Sequence, residues 1–189
     1  MKKIFLILAL SLNIFALQLD EISSTMQKNI NKSLQVLQNS KENKKQAADE
    51  IFQIFDHIID YKLMAQLGLS KDYSKLSPKE QEKFTIAFEA SLKKSFTDKL
   101  DLYKNQVLVV KSGELKNAKR YFLTSSMLVD GEEKNIIFKF YNNNNDWLIY
   151  DIDVLGVSIV QTYRSQFADI LANQDFDTLL QKLENITIE

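Results

Sequence analysis

Reactive side chains are few in this chain and stand apart. Its one imidazole, His57, follows Asp56 directly. Adjacent helical residues point in different directions, so the two are poorly placed as an acid–base pair, and His57 reads as a partly exposed helix residue. A zinc centre needs several His, Cys or carboxylate ligands converging. One His and Cys 0 supply no such set, and no metal or cofactor is expected. Asp151 and Asp153 lie two apart in an apolar run, which in a strand puts both carboxylates on one face. An acid–base pair is conceivable there. The same alternation, however, places Leu148, Tyr150, Ile152 and Val154 inward and turns both acids outward, toward solvent or a nearby Lys or Arg. Ser158 in Gly156-Val157-Ser158-Ile159-Val160 lacks the second Gly of a nucleophile elbow. A Gly-rich phosphate loop is missing as well. These residues argue against an enzyme. Lys62 and Arg164 remain as cations able to meet a phosphate, or as ordinary solvated helix charges.

The elements that would hold these groups fall into two halves. From Asp20 to Asn39, Ile22, Met26, Ile30, Leu34 and Leu37 recur three or four apart, giving a helix with one buried face. The polar stretch Ser40 to Lys45 reads as a solvated connection. A second helix carries Ala48, Ile51, Phe52, Phe55 and Ile59 and continues or restarts through Tyr61, Leu63, Met64 and Leu67, with Gly68 as its stop. Ser77-Pro78-Lys79-Glu80 is a helix start: Ser caps, Pro fills the first turn, and Glu sits three past the cap. The helix that follows sets Phe84, Phe88, Leu92, Phe96 and Leu100 at steps of four, with Tyr103 near its end. Each such step advances about 40° around the axis. The apolar stripe therefore winds, as suits a helix lying across a sheet.

The second half changes to a period of two. A strand region begins at Val107, Val109 and Lys111, and residues 119–129 alternate toward the hairpin signal Asp130-Gly131. Ile136, Phe138 and Phe140 alternate in the next strand, and Asn142 to Asn145 read as a second turn. The run from Trp147 to Val154 is a last strand. Gly156 turns the chain, and Ser158 is placed to cap a helix bearing Ile159, Val160, Tyr163, Phe167, Ile170 and Leu171. Phe176, Leu179, Leu180 and Leu183 give a final helix. The sum is an α+β domain, with helices packed on one side of a curved, mainly four-stranded antiparallel sheet and an apolar pocket enclosed between them.

Composition narrows the classes further. Phe 12 and Tyr 7 are generous, whereas Gly 4 and Pro 1 are scarce, favouring long regular elements over a loop-built site. The aromatic side chains serve as core or as the lining of a cavity for an apolar ligand. Met1-Lys2-Lys3, an apolar run from Ile4 to Leu12 and Ala16 have the form of a secretory signal peptide, too short to span a bilayer. Ala16 is the expected cleavage point. Ile14 in the upstream small-residue position departs from the pattern and leaves a site a few residues later open. Removing residues 1–16 reduces 24 basic side chains to 22 against 25 acidic ones, a net of −3. With no strongly basic stretch joined to a reading motif, no nucleic-acid partner is expected. Residues 17–189 are long enough for one domain held by its core, without disulfides.

Three segments carry a family resemblance. They are Ile58-Ile59-Asp60-Tyr61-Lys62-Leu63-Met64-Ala65 leading to Leu67-Gly68-Leu69, Leu76-Ser77-Pro78-Lys79-Glu80-Gln81 with Phe84, Phe88 and Leu92 downstream, and Tyr150-Asp151 running into Gly156-Val157-Ser158. In order and spacing this pattern resembles the periplasmic phospholipid-carrier family of the Mla pathway, the MlaC or toluene-tolerance proteins, over roughly residues 43–183. The short Asp130-Gly131 hairpin and brief C-terminal tail depart from the family. The resemblance implies a periplasmic carrier that moves phospholipid between an outer-membrane lipoprotein complex and the substrate-binding component of an inner-membrane ABC transporter, touching these membrane complexes only transiently. It also implies a pocket between sheet and helices that takes acyl chains and leaves the headgroup near the surface. The expected acyl-chain lining is Phe55, Ile59, Phe88, Leu92, Phe96, Leu123, Phe138, Tyr150, Ile152, Val157, Tyr163 and Phe167, with Lys62 or Arg164 at the headgroup. Two other readings remain open at this level: a periplasmic chaperone or adaptor for apolar peptides, and a small pocket enzyme on a similar α+β scaffold.

Overall fold

A computed structural model describes residues 16–40, 43–100 and 103–183. The signal-like residues 1–15 and positions 41–42 of the polar connection lie outside the described residues. After a short turn at Leu19–Glu21 come α1 (Ile22–Asn39), α2 (Lys44–Phe55), α3 (Tyr61–Leu69) and α4 (Pro78–Lys99). The strands are β1 (Val109–Asn117), β2 (Arg120–Val129), β3 (Glu132–Asn143), β4 (Asp146–Val154) and the two-residue β5 (Val157–Ser158), followed by α5 (Ile159–Leu171) and α6 (Phe176–Leu183). The helix beginning at Ser77 forms as its sequence dictates. The Ser77 amide donates to the Glu80 carboxylate at 2.8 Å, and the Glu80 amide donates back to Ser77 Oγ at 3.4 Å.

All neighbouring strands pair antiparallel in the order β1-β2-β3-β4-β5. The turns explain this simple meander. Asp130 and Gly131 both take positive φ, as do Asn144 and Asn145, and such two-residue turns match the right-handed twist of their strands. Leu155 (φ 56°) and Gly156 (φ 86°) make a third turn, folding Val157 and Ser158 back onto Val154 and Asp153 as a fifth strand. Four strands were expected; the extra one is too short to announce itself by alternation.

Two apolar clusters hold the molecule together. One joins the sheet to α1, with Ile22, Met26 and Ile30 packed against Leu123, Phe140 and Ile149. The other is helical, with Met64, Phe84, Phe88, Tyr163, Phe167 and Leu179 drawn from α3 to α6. The helix across the sheet is therefore α1, not the aromatic α4 that the stripe suggested. The buried face of α4 runs Phe84, Phe88, Ser91, Ser95, mixing steps of four and three. A constant step of four drifts off that face by about 120° at Phe96, which is consequently exposed.

Candidate functional site

The expected lining residues divide between the two clusters. Phe88, Leu92, Tyr163 and Phe167 belong to the helical one. Phe55, Leu123, Phe138 and Ile152 belong to the sheet one. Ile59 packs against both, at the point where they meet. The seam there is a piece of backbone pairing: Ile59 bridges Ile149 of β4 in parallel, and the Asp60 amide donates to the Ile149 carbonyl at 2.9 Å. In this arrangement the aromatic groups fill the helical cluster themselves. Phe88 and Tyr163 have ring centroids 4.9 Å apart, and Tyr163 and Phe167 stand at 5.4 Å. The Tyr163 hydroxyl lies 3.3 Å from Ser91 Oγ, so the small serine face of α4 gives a buried phenol its polar partner.

Three lining assignments sit elsewhere. Val157 is 58% exposed on β5, and Phe96 meets Phe52 edge-on near the surface at 5.2 Å. Tyr150 is the unpaired residue of a bulge: Lys139 pairs with Asp151 and Phe140 with Ile149, leaving Tyr150 between. The Arg120 guanidinium rests 5.7 Å from the Tyr150 ring. That bulge also corrects the strict alternation expected for β4. Ile149 and Ile152, three apart, join the same cluster, whereas Tyr150 does not.

Asp151 keeps the face expected for it, turned away from the sheet cluster and toward a lysine. It is buried there, and its Oδ2 accepts from Lys139 Nζ at 2.8 Å and from Ser158 Oγ at 2.7 Å. Its Oδ1 accepts from the Val160 amide at 3.1 Å. The nearby Lys was foreseen; the role as anchor of the α5 start was not. Burial disfavours the Lys139 charge, but the hydrogen bond to Asp151 and the charges of Asp151 and Asp153 overcome it and hold the ammonium above the ordinary lysine range. Ser158 caps α5, accepting from the Gln161 amide at 3.1 Å.

Asp56 is equally structural. It accepts from the Tyr61 hydroxyl at 2.6 Å and from Lys93 Nζ at 2.8 Å, and Glu89 lies 2.7 Å from the same ammonium. Lys93 also stands 5.1 Å from the Phe52 ring and 5.0 Å from Tyr61, tying α4 to the α2–α3 connection. Burial, reinforced by the bond to Asp56, pushes the Tyr61 phenol far above its ordinary range. His57 points away into solvent.

Lys62 is exposed on α3. Arg164 donates from Nε and Nη2 to the Leu67 carbonyl at 2.9 and 2.7 Å, closing the end of α3. Arg164 and Phe167 do share a pocket of about 190 Å³ beside Gly68, smaller than the roughly 300 Å³ at which ligand pockets begin. A groove of about 580 Å³ lies at the β1–β2 side of the sheet, lined by Val107, Val109, Met127 and Leu128 together with Lys111 and Glu133, which pair at 3.1 Å. Sequence reasoning missed this groove. Its one signal is the unbroken apolar run Val107-Leu108-Val109-Val110, which reads equally well as a buried strand. Among the described residues, no helix is long and apolar enough to cross a membrane.

Comparison with known proteins gives this geometry its context. A phospholipid-binding protein of Ralstonia solanacearum, solved in complex with a phospholipid, has the same fold, with a TM-score of 0.74 at 20% identity over 86% of this chain and 94% of that one. The chain is 23% identical over 121 residues to the intermembrane phospholipid transport system binding protein MlaC of Haemophilus influenzae, covering 61% of this chain. It is 24% identical over 133 residues to toluene tolerance protein ttg2D of Pseudomonas putida, covering 68% of this chain. The matches span 56% and 61% of the length of these two relatives. Residues 27–185 match the family described as MlaC protein, and with the long α4, the hairpin sheet and the Gly156-Val157-Ser158 junction lying inside that span, the chain belongs to the MlaC family.

Proposed function

We propose that this chain is a phospholipid carrier, not an enzyme, and that acyl chains enter at the seam where the helical and sheet clusters meet. The observation that carries the reading is the division of the core. Two apolar clusters have separate buried members and meet at Ile59, with Leu92 and Ile159 on one side and Phe55, Ile136 and Ile152 on the other only partly buried. An ordinary domain of this size packs around one contiguous core. Here, parting the clusters exposes two apolar walls facing each other, a space suited to fatty chains. The fold shared with a phospholipid-bound protein and membership of the MlaC family support the same reading.

The energetics explain why such a protein is needed. Burying one CH₂ is worth roughly 0.8 kcal/mol, so two chains of about 14 methylenes represent some 20 kcal/mol gross. That is near the ceiling of noncovalent affinity, and a free diacyl lipid does not cross water at a useful rate. Exchange between a bilayer and the parted seam moves the chains between two apolar environments, so the net difference stays small. The cost of parting the aromatic contacts in the empty protein balances the gain of holding lipid and keeps release possible.

In this reading residues 1–16 are removed on export, residues 17–189 form one periplasmic carrier domain, and the lipid passes between an outer-membrane lipoprotein complex and an inner-membrane ABC transporter. The test is recovery of the exported protein, denaturation, and identification of the extracted small molecules by mass spectrometry. One phospholipid or more per protein is expected, with occupancy reduced in Leu92→Trp and Phe138→Arg. A protein that emerges carrying peptide instead of lipid would overturn the carrier reading. Full lipid occupancy in both variants would place the acyl chains away from the seam.

A further inference from the structure

We propose that, once residues 1–16 are removed, the ammonium created on Leu17 is received by the carboxylate of Asp146. The inference rests on the export reading above, with its cut after Ala16, and goes beyond it in giving the new terminus a partner.

The geometry around Leu17 carries the argument. Its backbone nitrogen donates to Asp146 Oδ1 at 2.9 Å, across 129 residues of sequence. Its carbonyl accepts from the Trp147 amide at 3.0 Å, so the residue is clamped on both sides by the start of β4. Its side chain is 7% exposed within the sheet cluster. Upstream, the contact shown by Ala16 is a carbonyl accepting from the side chain of Gln18 at 3.0 Å. The fold thus takes hold of the chain at Leu17.

The sequence left a later cut open because Ile14 is a poor residue two before Ala16. The structure weighs against it. The next small residues, Ser23, Ser24 and Thr25, lie inside α1, and cutting there would discard Leu17 and Ile22, the latter 0% exposed in the sheet cluster. Cutting after Ala16 keeps both.

The reaction is hydrolysis by a signal peptidase. Water adds across the amide, its hydroxyl going to the Ala16 carbonyl carbon and its proton to the Leu17 nitrogen. The products are an Ala16 carboxylate on the leader and a Leu17 ammonium on the mature chain. That nitrogen already donates to a carboxylate, so cleavage turns a hydrogen bond with one charged partner into an ion pair with two. The charged groups on the adjoining segments are Asp146 on β4 and Asp20 and Glu21 in the turn after Leu17, with Glu21 Oε2 accepting from the Gln18 amide at 3.3 Å. All are acids, and each favours the ammonium.

The experiment uses the full chain exported into the periplasm and purified intact. Its mass should correspond to a start at Leu17. Competitive acetylation of the α-amine as a function of pH, read on the N-terminal peptide, should give a pKa about one unit above the ordinary value of about 7.7–8.0. Asp146→Asn, which keeps an acceptor oxygen, should return most of that unit. Should that variant fail to fold, the wild-type value should fall toward the ordinary one as salt is raised, because screening weakens the pair. A protein that retains residues 1–16 overturns the export reading itself. One that begins elsewhere overturns the assigned cut, and one that begins at Leu17 with an ordinary, salt-insensitive amine overturns the Asp146 seat while leaving export in place.

Discussion

At the scale of single residues, carboxylates that first suggest chemistry are committed to architecture. Asp151 has both oxygens engaged, by Lys139, Ser158 and the Val160 amide. Asp151→Ala would leave the Lys139 ammonium, itself only 16% exposed, without its main partner and would free the start of α5. A loss of about 2–4 kcal/mol is expected, from a buried pair broken on one side and discounted for the residual contact of Lys139 with water. Urea denaturation measures it, and a loss below 1 kcal/mol would mean that water and Asp153 replace the pair. Lys139 also gives a pH dependence. Its folded pKa lies above its unfolded value, so its contribution is whole below about pH 10.4 and drains away as pH rises beyond that through the folded value. The gap in urea midpoint between wild type and Lys139→Met should therefore be constant at neutral pH and close in strong alkali; a gap unchanged above pH 11 would contradict this.

At the scale of elements, sequence and structure agree wherever local chemistry is decisive. Ser77-Pro78-Lys79-Glu80 starts α4 with its capping box, and Asp130-Gly131 and Asn144-Asn145 take the positive φ their hairpins need. Replacing Ser77 by Ala removes the acceptor for the Glu80 amide and should cost about 1 kcal/mol. Ser77→Asp, which retains an acceptor, should recover most of it in the same denaturation assay. What escaped the sequence depends on tertiary context. Strict alternation in β4 fails because one extra residue, Tyr150, is inserted opposite β3: Ile152 lies inward as expected, but before the bulge Ile149 takes the inward place that alternation gave to Leu148. The Phe stripe of α4 looked suited to a sheet, but an apolar helix face does not name its partner. The helices after the sheet claimed it, leaving α1 for the strands. The site shows the same limit: periodicity identified Phe88, Tyr163, Leu123 and Phe138 as inward-facing, yet it could not show that they belong to two clusters instead of one wall.

At the scale of the whole molecule, that division sets how a lipid would enter. In the closed arrangement the Asp60 amide is bonded to the Ile149 carbonyl, and Ile59 seals the two clusters beside it. A diacyl ligand between the clusters must stretch or break that bond, because it fixes the distance between the α2–α3 connection and β4. The meander itself has no reason to open, since its ladders lie within one cluster. Hydrogen exchange on loaded and delipidated protein should then move in opposite senses. The Asp60 amide should exchange faster with lipid bound, while the amides of β2 and β3 slow as binding stabilises the native state by mass action. The contrast matters because global stabilisation alone would protect every site. If Asp60 is protected to the same degree in both forms, the acyl chains enter without parting the clusters at Ile59, and the groove beside Val107 and Leu128 becomes the next wall to test. If Asp60 alone is released, the two-cluster core is the means by which the protein opens without unfolding.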